Sequence, residues 1–158
     1  MKIETILVPT DFAEYAERAL ETAIQLATVF GARIELLHVY DIPDWATVYE
    51  VTFPSEVDAG IRSAARRKIE ALKQRAEADG VKVSTHLEFG PPSQTIVQHA
   101  EESKTDLIVM GTRGLGAIKH VLLGSVAERT VRTAPCPVLT IGAGAAAAQG
   151  EETRQRTT

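Results

Sequence analysis

The chain has 158 residues, 44% hydrophobic and 24% charged, which is the size and composition of one globular domain. Its net charge of −4 gives no overall basic footprint for nucleic acid, and no apolar run approaches the roughly 20 residues of a membrane span. The N-terminus lacks a signal-peptide core and the single Cys136 has no partner for a disulfide, so we expect a cytoplasmic protein.

Strand and helix patterns alternate along the chain, which is typical of a parallel sheet with helices on both faces. In chain order the patterns predict a strand at 4–8, a helix at 14–30, a strand at 33–40, a loop at 41–54, a helix at 55–79, a strand at 81–89, a helix at 92–103, a strand at 106–110, a helix at 125–134 and a strand at 137–141. We therefore expect one domain over 1–142 and a disordered tail over 143–158.

The strand patterns also predict the order of the sheet. Residues 81–89 alternate between polar and apolar, as an edge strand does, whereas 106–110 is apolar on both faces and is predicted to be central. Because crossovers between parallel strands are right-handed, we expect a doubly wound five-stranded sheet of order 3-2-1-4-5. Ligands bind where such a sheet reverses direction, here between strands 1 and 4. The tripeptide at 9–11 and Gly111 end these two strands and are expected to border one crevice.

A glycine motif follows the fourth strand. It reads Gly-x-x-Gly-x9-Gly-Ser, from Gly111 through Gly114 to Gly124 and Ser125. Glycine lets a backbone approach a bulky anion without a Cβ in the way, and the N-terminus of the following helix favours phosphate. The motif is neither a Walker A loop nor a dinucleotide fingerprint. We interpret it as one wall of a nucleotide site.

Three features of the chain are similar to those of the universal stress protein family, over roughly residues 2–142. They are the first strand ending in Pro-Thr-Asp at 9–11, the glycine motif, and the closing Pro-Cys-Pro-Val-Leu at 135–139. The glycine spacing resembles that of the ATP-binding branch of the family. The resemblance implies an adenine nucleotide alpha hydrolase-like fold and a regulatory, stress-response protein that binds ATP as a homodimer.

The resemblance also implies roles for individual residues. The implied nucleotide site comprises Pro9, Thr10, Asp11, Val39, Met110, Gly111, Arg113, Gly114, Gly124, Ser125 and Val126. The glycines and the start of the last helix would hold the ribose and phosphates of ATP or AMP. Val39 and Met110 would contact the adenine or ribose, and Asp11 would lie near the ribose or a phosphate-bound Mg2+.

The last strand, at 137–141, is predicted to lie at the other edge of the sheet. Its sequence is apolar, and an exposed apolar edge needs covering. Pairing with the same strand of a second copy would cover it and produce a two-fold dimer. The resemblance to the stress proteins favours the same homodimer.

Several other interpretations follow from the same residues. Ser125 with Glu128, and Asp11 with Glu14, fit capping boxes. Two alternative functions remain. The protein could be a weak ATPase or another nucleotide-dependent enzyme that uses the same crevice, or a dimeric interaction protein that binds no nucleotide. A phospho-accepting receiver domain is excluded because no aspartate ends the third strand. The histidines are scattered along the sequence and predict no metal site.

Overall fold

The computed structural model describes residues 2–40, 55–113 and 123–142. Within these ranges strands and helices alternate as β1 (Thr5–Pro9), α1 (Glu14–Phe30), β2 (Arg33–Tyr40), α2 (Ser55–Ala78), β3 (Val83–Phe89), α3 (Pro92–Glu102), β4 (Leu107–Gly111), α4 (Ser125–Thr133) and β5 (Val138–Ile141). The predicted loop 41–54, the predicted tail 143–158 and Gly114 lie outside the described residues.

The strands form one parallel sheet of order β3-β2-β1-β4-β5, which confirms the predicted fold class. The element boundaries differ from the predicted ones by one or two residues. β3 begins at Val83 rather than at residue 81, and β4 continues to Gly111, which pairs with Ile141 of β5. The glycine motif therefore begins inside the sheet and not after it.

Two apolar layers hold the helices against the sheet. Ile6 and Val8 of β1 point to the layer under α1 and α2, whereas Leu7 points to the layer under α3 and α4. All three are 0% exposed, as expected for a central strand with helices on both sides. On α2, Ile61 is 51% exposed whereas Ala65 and Ile69 are buried, so the apolar stripe of this helix begins one turn after Ile61.

The helix ends correct the two capping predictions. Gly31 ends α1 in the left-handed conformation with φ 68°, as its sequence position predicts. The N-cap of α4, however, is Gly124, and that of α1 is Ala13, and neither helix has a side-chain cap. The Gly124 N–H donates to the Thr112 carbonyl at 2.7 Å, which fixes Gly124 as the last extended residue. Ser125 consequently lies in the first turn and cannot act as the cap.

Among the described residues, no helix is both long and apolar enough to cross a membrane.

Candidate functional site

A cleft of about 400 Å3 opens at the carboxyl ends of β1 and β4, where the sheet reverses direction. This is the position at which doubly wound folds bind ligands. Its described lining residues are Pro9, Thr10, Asp11, Ala16, Leu37, Val39, Pro92, Ile96, Met110, Gly111, Thr112, Arg113, Gly124, Ser125, Val126 and Ala127. Of the residues predicted from the sequence, all except Gly114, which is not described, line this one cleft.

The loop after β1 forms one wall of the cleft and is held by hydrogen bonds on both sides. The Thr10 N–H donates to the Leu37 carbonyl at 2.8 Å, and the His38 Nδ1–H donates to the Thr10 carbonyl at 2.7 Å. The Asp11 Oδ1 accepts from the Ala13 N–H at 3.0 Å. These contacts join the loop to the neighbouring strand β2 and fix where Thr10 and Asp11 border the cleft.

Phe12 turns the backbone of this loop. Its φ of 65° lies in the left-handed region, which a bulky residue adopts at a cost of about 1–3 kcal/mol. Two contacts hold it there. The Phe12 N–H donates to Thr10 Oγ1 at 3.0 Å, and the ring packs against His38 with centroids 4.4 Å apart. The Phe12 ring thus packs on the α1–α2 side of the sheet, while Thr10 and Asp11 stay in the cleft.

The opposite wall depends on a close approach between β4 and α1. A Cβ on Gly111 would meet the carbonyl carbon and the Cβ of Tyr15, each at 2.8 Å. Glycine is therefore required at this position by the packing of α1. The sequence suggested a different reason, access for a ligand to the backbone. The structure adds a packing requirement to the same residue.

The start of α4 forms the third wall. The first N–H groups of any helix lack acceptors within the helix, and here Ser125, Val126 and Ala127 of that first turn all line the cleft. The partial positive charge of the helix N-terminus adds to them. This wall is chemically suited to an anion such as a phosphate group.

Charged side chains are few in this cleft. Among the described lining residues, Asp11 is the acidic one and Arg113 the basic one. The Arg113 guanidinium lies over the Tyr15 ring, 5.8 Å from its centroid. Glu14, which follows the β1 loop, is largely exposed and pairs with Arg18 at 2.5 Å on the surface of α1.

The floor of the cleft is apolar and partly comes from residues that the sequence did not indicate. Val39 and Met110 were predicted, and Leu37, Pro92 and Ile96 join them. The two residues of α3 were missed because nothing in the local sequence says which helix covers the end of β2. A Pro at the start of a helix that follows an edge strand is a weak signal for this position.

A second group of titratable side chains lies outside the cleft, where two histidines that are distant in the sequence come close together in the fold. Glu35 of β2, His86 of β3 and His99 of α3 each offer a ligand atom, and these atoms lie within 4.8 Å of one another. Glu35 and His86 are 51 positions apart in sequence, and His86 and His99 are 13 apart. They come together because α3 packs across the edge of the sheet. The sequence signal for this cluster was Glu35, a charged residue inside the apolar pattern of β2.

The fold and the cleft define the class of protein: a doubly wound α/β domain with an apolar floor beside an open helix N-terminus. The chain belongs to the universal stress protein family, whose model matches residues 2–142. The universal stress protein MJ0531 of Methanocaldococcus jannaschii is 36% identical over 141 residues, which cover 86% of this chain and 80% of that protein.

Solved structures are similar over nearly the whole chain. The structure of MJ0577, also from Methanocaldococcus jannaschii, has a TM-score of 0.80 and 35% identity, and the match covers 90% of this chain and 97% of that one. A universal stress protein solved in complex with cAMP has a TM-score of 0.64 and 27% identity, with coverage of 90% and 98%.

Proposed function

We propose that this chain is a regulatory nucleotide-binding protein of the universal stress family that takes ATP, or AMP, in the cleft between β1 and β4. One observation carries the proposal: an apolar floor lies directly beside the open N-terminus of α4 in one cleft. An adenine ring needs the first surface, and phosphates need the second. The relative that was solved with cAMP supports an adenine nucleotide.

In this proposal each wall of the cleft binds one part of the nucleotide. The adenine lies on Val39 and Met110, and the phosphates lie against the N–H groups that follow Gly124. Asp11 holds the ribose or a phosphate-bound Mg2+, since a carboxylate oxygen is a ligand that Mg2+ accepts. The volume of about 400 Å3 lies within the range of small-molecule sites.

The charges of the cleft favour binding over turnover. Phosphoryl transfer needs a base or water-positioning residue together with cations that stabilise the transition state. The described lining supplies one carboxylate, Asp11, and one guanidinium, Arg113, which lies over Tyr15. We therefore propose that the nucleotide acts by changing the surface or assembly of the protein.

Thermal unfolding with and without nucleotides tests the proposal. ATP at about 100 times its Kd is expected to add roughly 2.7 kcal/mol, or about 5–11 °C in Tm for a chain of this length. AMP and cAMP serve as shorter adenine ligands, GTP tests the base, and each is measured with and without Mg2+. The absence of any shift with adenine nucleotides at millimolar concentration would overturn the proposal.

We also propose a homodimer through β5. This strand is at one edge of the described sheet, and its Leu139 is 37% exposed. An apolar strand with unpaired N–H and C=O groups is stabilised when a second copy pairs with it.

Leu139→Lys is expected to convert the dimer into a monomer, because it places a charge in the strand-pairing seam. Light scattering at matched concentrations measures the mass. Val29→Lys is the matched control: Val29 is 77% exposed on α1, so the same charge there should leave the dimer intact. A wild-type protein that is monomeric at high concentration contradicts the dimer.

A further inference from the structure

The side-chain cluster at the β2–β3 edge is a separate feature from the cleft. The register of the two strands pairs Glu35 with Ser84 and Leu37 with His86, so alternate residues of both strands point to the face that α3 covers. His99 comes from α3 itself, three residues after Ile96. Three elements therefore bring a carboxylate and two imidazoles to one face of the sheet, beside the apolar Leu37 and Ile96.

Burial makes this cluster unusual. The Glu35 and His99 side chains are each 9% exposed, and His86 is half-buried. Ionisable groups are almost never so buried unless they are paired or bind a metal. The Glu35 Oε2 lies 3.2 Å from the His99 Nε2, and the other carboxylate oxygen of Glu35 lies 3.5 Å from Arg33 Nη2. One oxygen of Glu35 thus points at His99, and the carboxylate also accepts a hydrogen bond from Ser103.

The distances approach those of a tetrahedral metal centre. Metal–ligand bonds of about 2.0–2.2 Å separate neighbouring ligand atoms by roughly 3.4 Å. The Glu35–His99 pair is already at 3.2 Å, and the third ligand atom is within 4.8 Å of the other two. In the metal-free form the His86 ring lies against that of His99, with centroids 4.6 Å apart, and its Nε2 lies 3.3 Å from Ser84 Oγ.

Glu88 supplies an independent observation. Its Oε1 accepts from the His99 Nδ1–H at 2.5 Å. Histidines that bind metals typically donate their other ring N–H to a carboxylate, which fixes the tautomer and makes the ligating nitrogen more basic. With Nδ1 engaged by Glu88, His99 directs Nε2 at Glu35.

In the metal-free form, hydrogen bonds between His99 and the two carboxylates Glu35 and Glu88 hold the cluster together. The hydrogen bond with His99 holds the pKa of the Glu35 carboxyl below its ordinary value, and burial lowers the pKa of His86. Hydrogen bonds to Glu35 and then Glu88 raise the pKa of His99. A divalent metal between Glu35 and His99 would take the place of the hydrogen bond that joins them.

We propose that Glu35, His86 and His99 form a binding site for a divalent transition metal such as Zn2+, with Glu88 orienting His99. Two imidazoles and one carboxylate are a ligand set that zinc accepts, whereas Mg2+ and Ca2+ prefer oxygen alone. Three protein ligands leave a fourth position for water. The metal would link β2, β3 and α3 to one another. Its ligand His99 lies within one helical turn of Ile96, which lines the cleft.

Zinc titration of the chelator-stripped wild-type chain tests the site directly. Calorimetry is expected to give one Zn2+ per chain. Glu35→Gln and His99→Gln should each weaken the affinity at least tenfold, and Glu88→Ala about ten- to a hundredfold. The matched control is Glu101→Gln, an exposed carboxylate of α3, which should bind Zn2+ like the wild type.

A measurement on the wild-type chain avoids variants that fail to fold. Ring nitrogen resonances of His86 and His99 are expected to shift together and to saturate at one equivalent of Zn2+, while those of His38 stay in place. Co2+ substituted for Zn2+ should give the intense visible bands of a tetrahedral centre. No stoichiometric binding, unshifted His86 and His99 resonances, or binding that survives in folded His99→Gln would each overturn the proposal.

Discussion

Replacing Ser125 by aspartate is expected to weaken ATP binding about ten- to a hundredfold without destabilising the fold. The residue lies in the first turn of α4 and lines the cleft, where the proposed phosphates bind. Two unit charges 4 Å apart repel by about 1 kcal/mol in water and about 4 kcal/mol near a protein surface, and Ser125 is exposed. The same carboxylate favours the helix N-terminus by about 0.3–1 kcal/mol. Binding and stability should therefore change in opposite directions.

Two controls isolate the charge at this position. Ser125→Asn has nearly the same shape as the aspartate variant and no charge, so its ATP affinity should remain within about threefold of the wild type. Adenosine has no phosphate, and its binding to Ser125→Asp should be unchanged. Calorimetry or competition measures each Kd, and unfolding measures stability. If folded Ser125→Asp binds ATP as tightly as the wild type, the phosphates do not lie at this helix.

Gly111→Ala is expected to destabilise the protein by about 1–3 kcal/mol, because the new methyl group would overlap the Tyr15 backbone. The nearest atoms are 2.8 Å from the position of the Cβ, and backbone atoms of a packed helix move less readily than the end of a side chain. The Tm should fall by about 2–12 °C for a chain of this length. Displacement of α1 would also disturb the wall that Gly111 and Ala16 form.

Gly60→Ala is the matched control for this substitution. Gly60 is an exposed residue of α2, and a Cβ there would meet nothing within 4 Å. The same chemical change should stabilise the protein by about 0.5–1 kcal/mol, since alanine loses less backbone entropy in a helix. Chemical denaturation of both variants measures the difference. A Gly111→Ala protein as stable as the wild type would contradict the close packing of β4 on α1.

Much of the cleft between β1 and β4 could be predicted from the sequence because its residues follow strand ends. Apolar patterns located β1 and β4, and the topology of a parallel sheet brings the ends of such strands to one edge. Ile96 could not be predicted in the same way. It lines the cleft because α3 packs over the end of β2, and the local sequence does not specify that packing.

The capping predictions failed for a related reason. A Ser-x-x-Glu pattern marks a helix start to within a residue or so, but the start itself depends on a hydrogen bond to the segment that follows β4. The Gly124 N–H bonds to the Thr112 carbonyl, which moves Ser125 into the helix. That contact joins two segments, and only the folded chain brings them together.

The sequence by itself determined the alternating architecture, the strand order and the family. Periodicity and glycine spacing are local properties that can be read directly from the order of the residues. Only the tertiary structure reveals that packing against Tyr15 requires a glycine at position 111. It also reveals which residues form the cleft floor, and that Glu35, His86 and His99 lie close together. These features arise from packing between distant segments. Side-chain direction across a helix–sheet interface depends on how whole elements dock, and short-range patterns do not encode it.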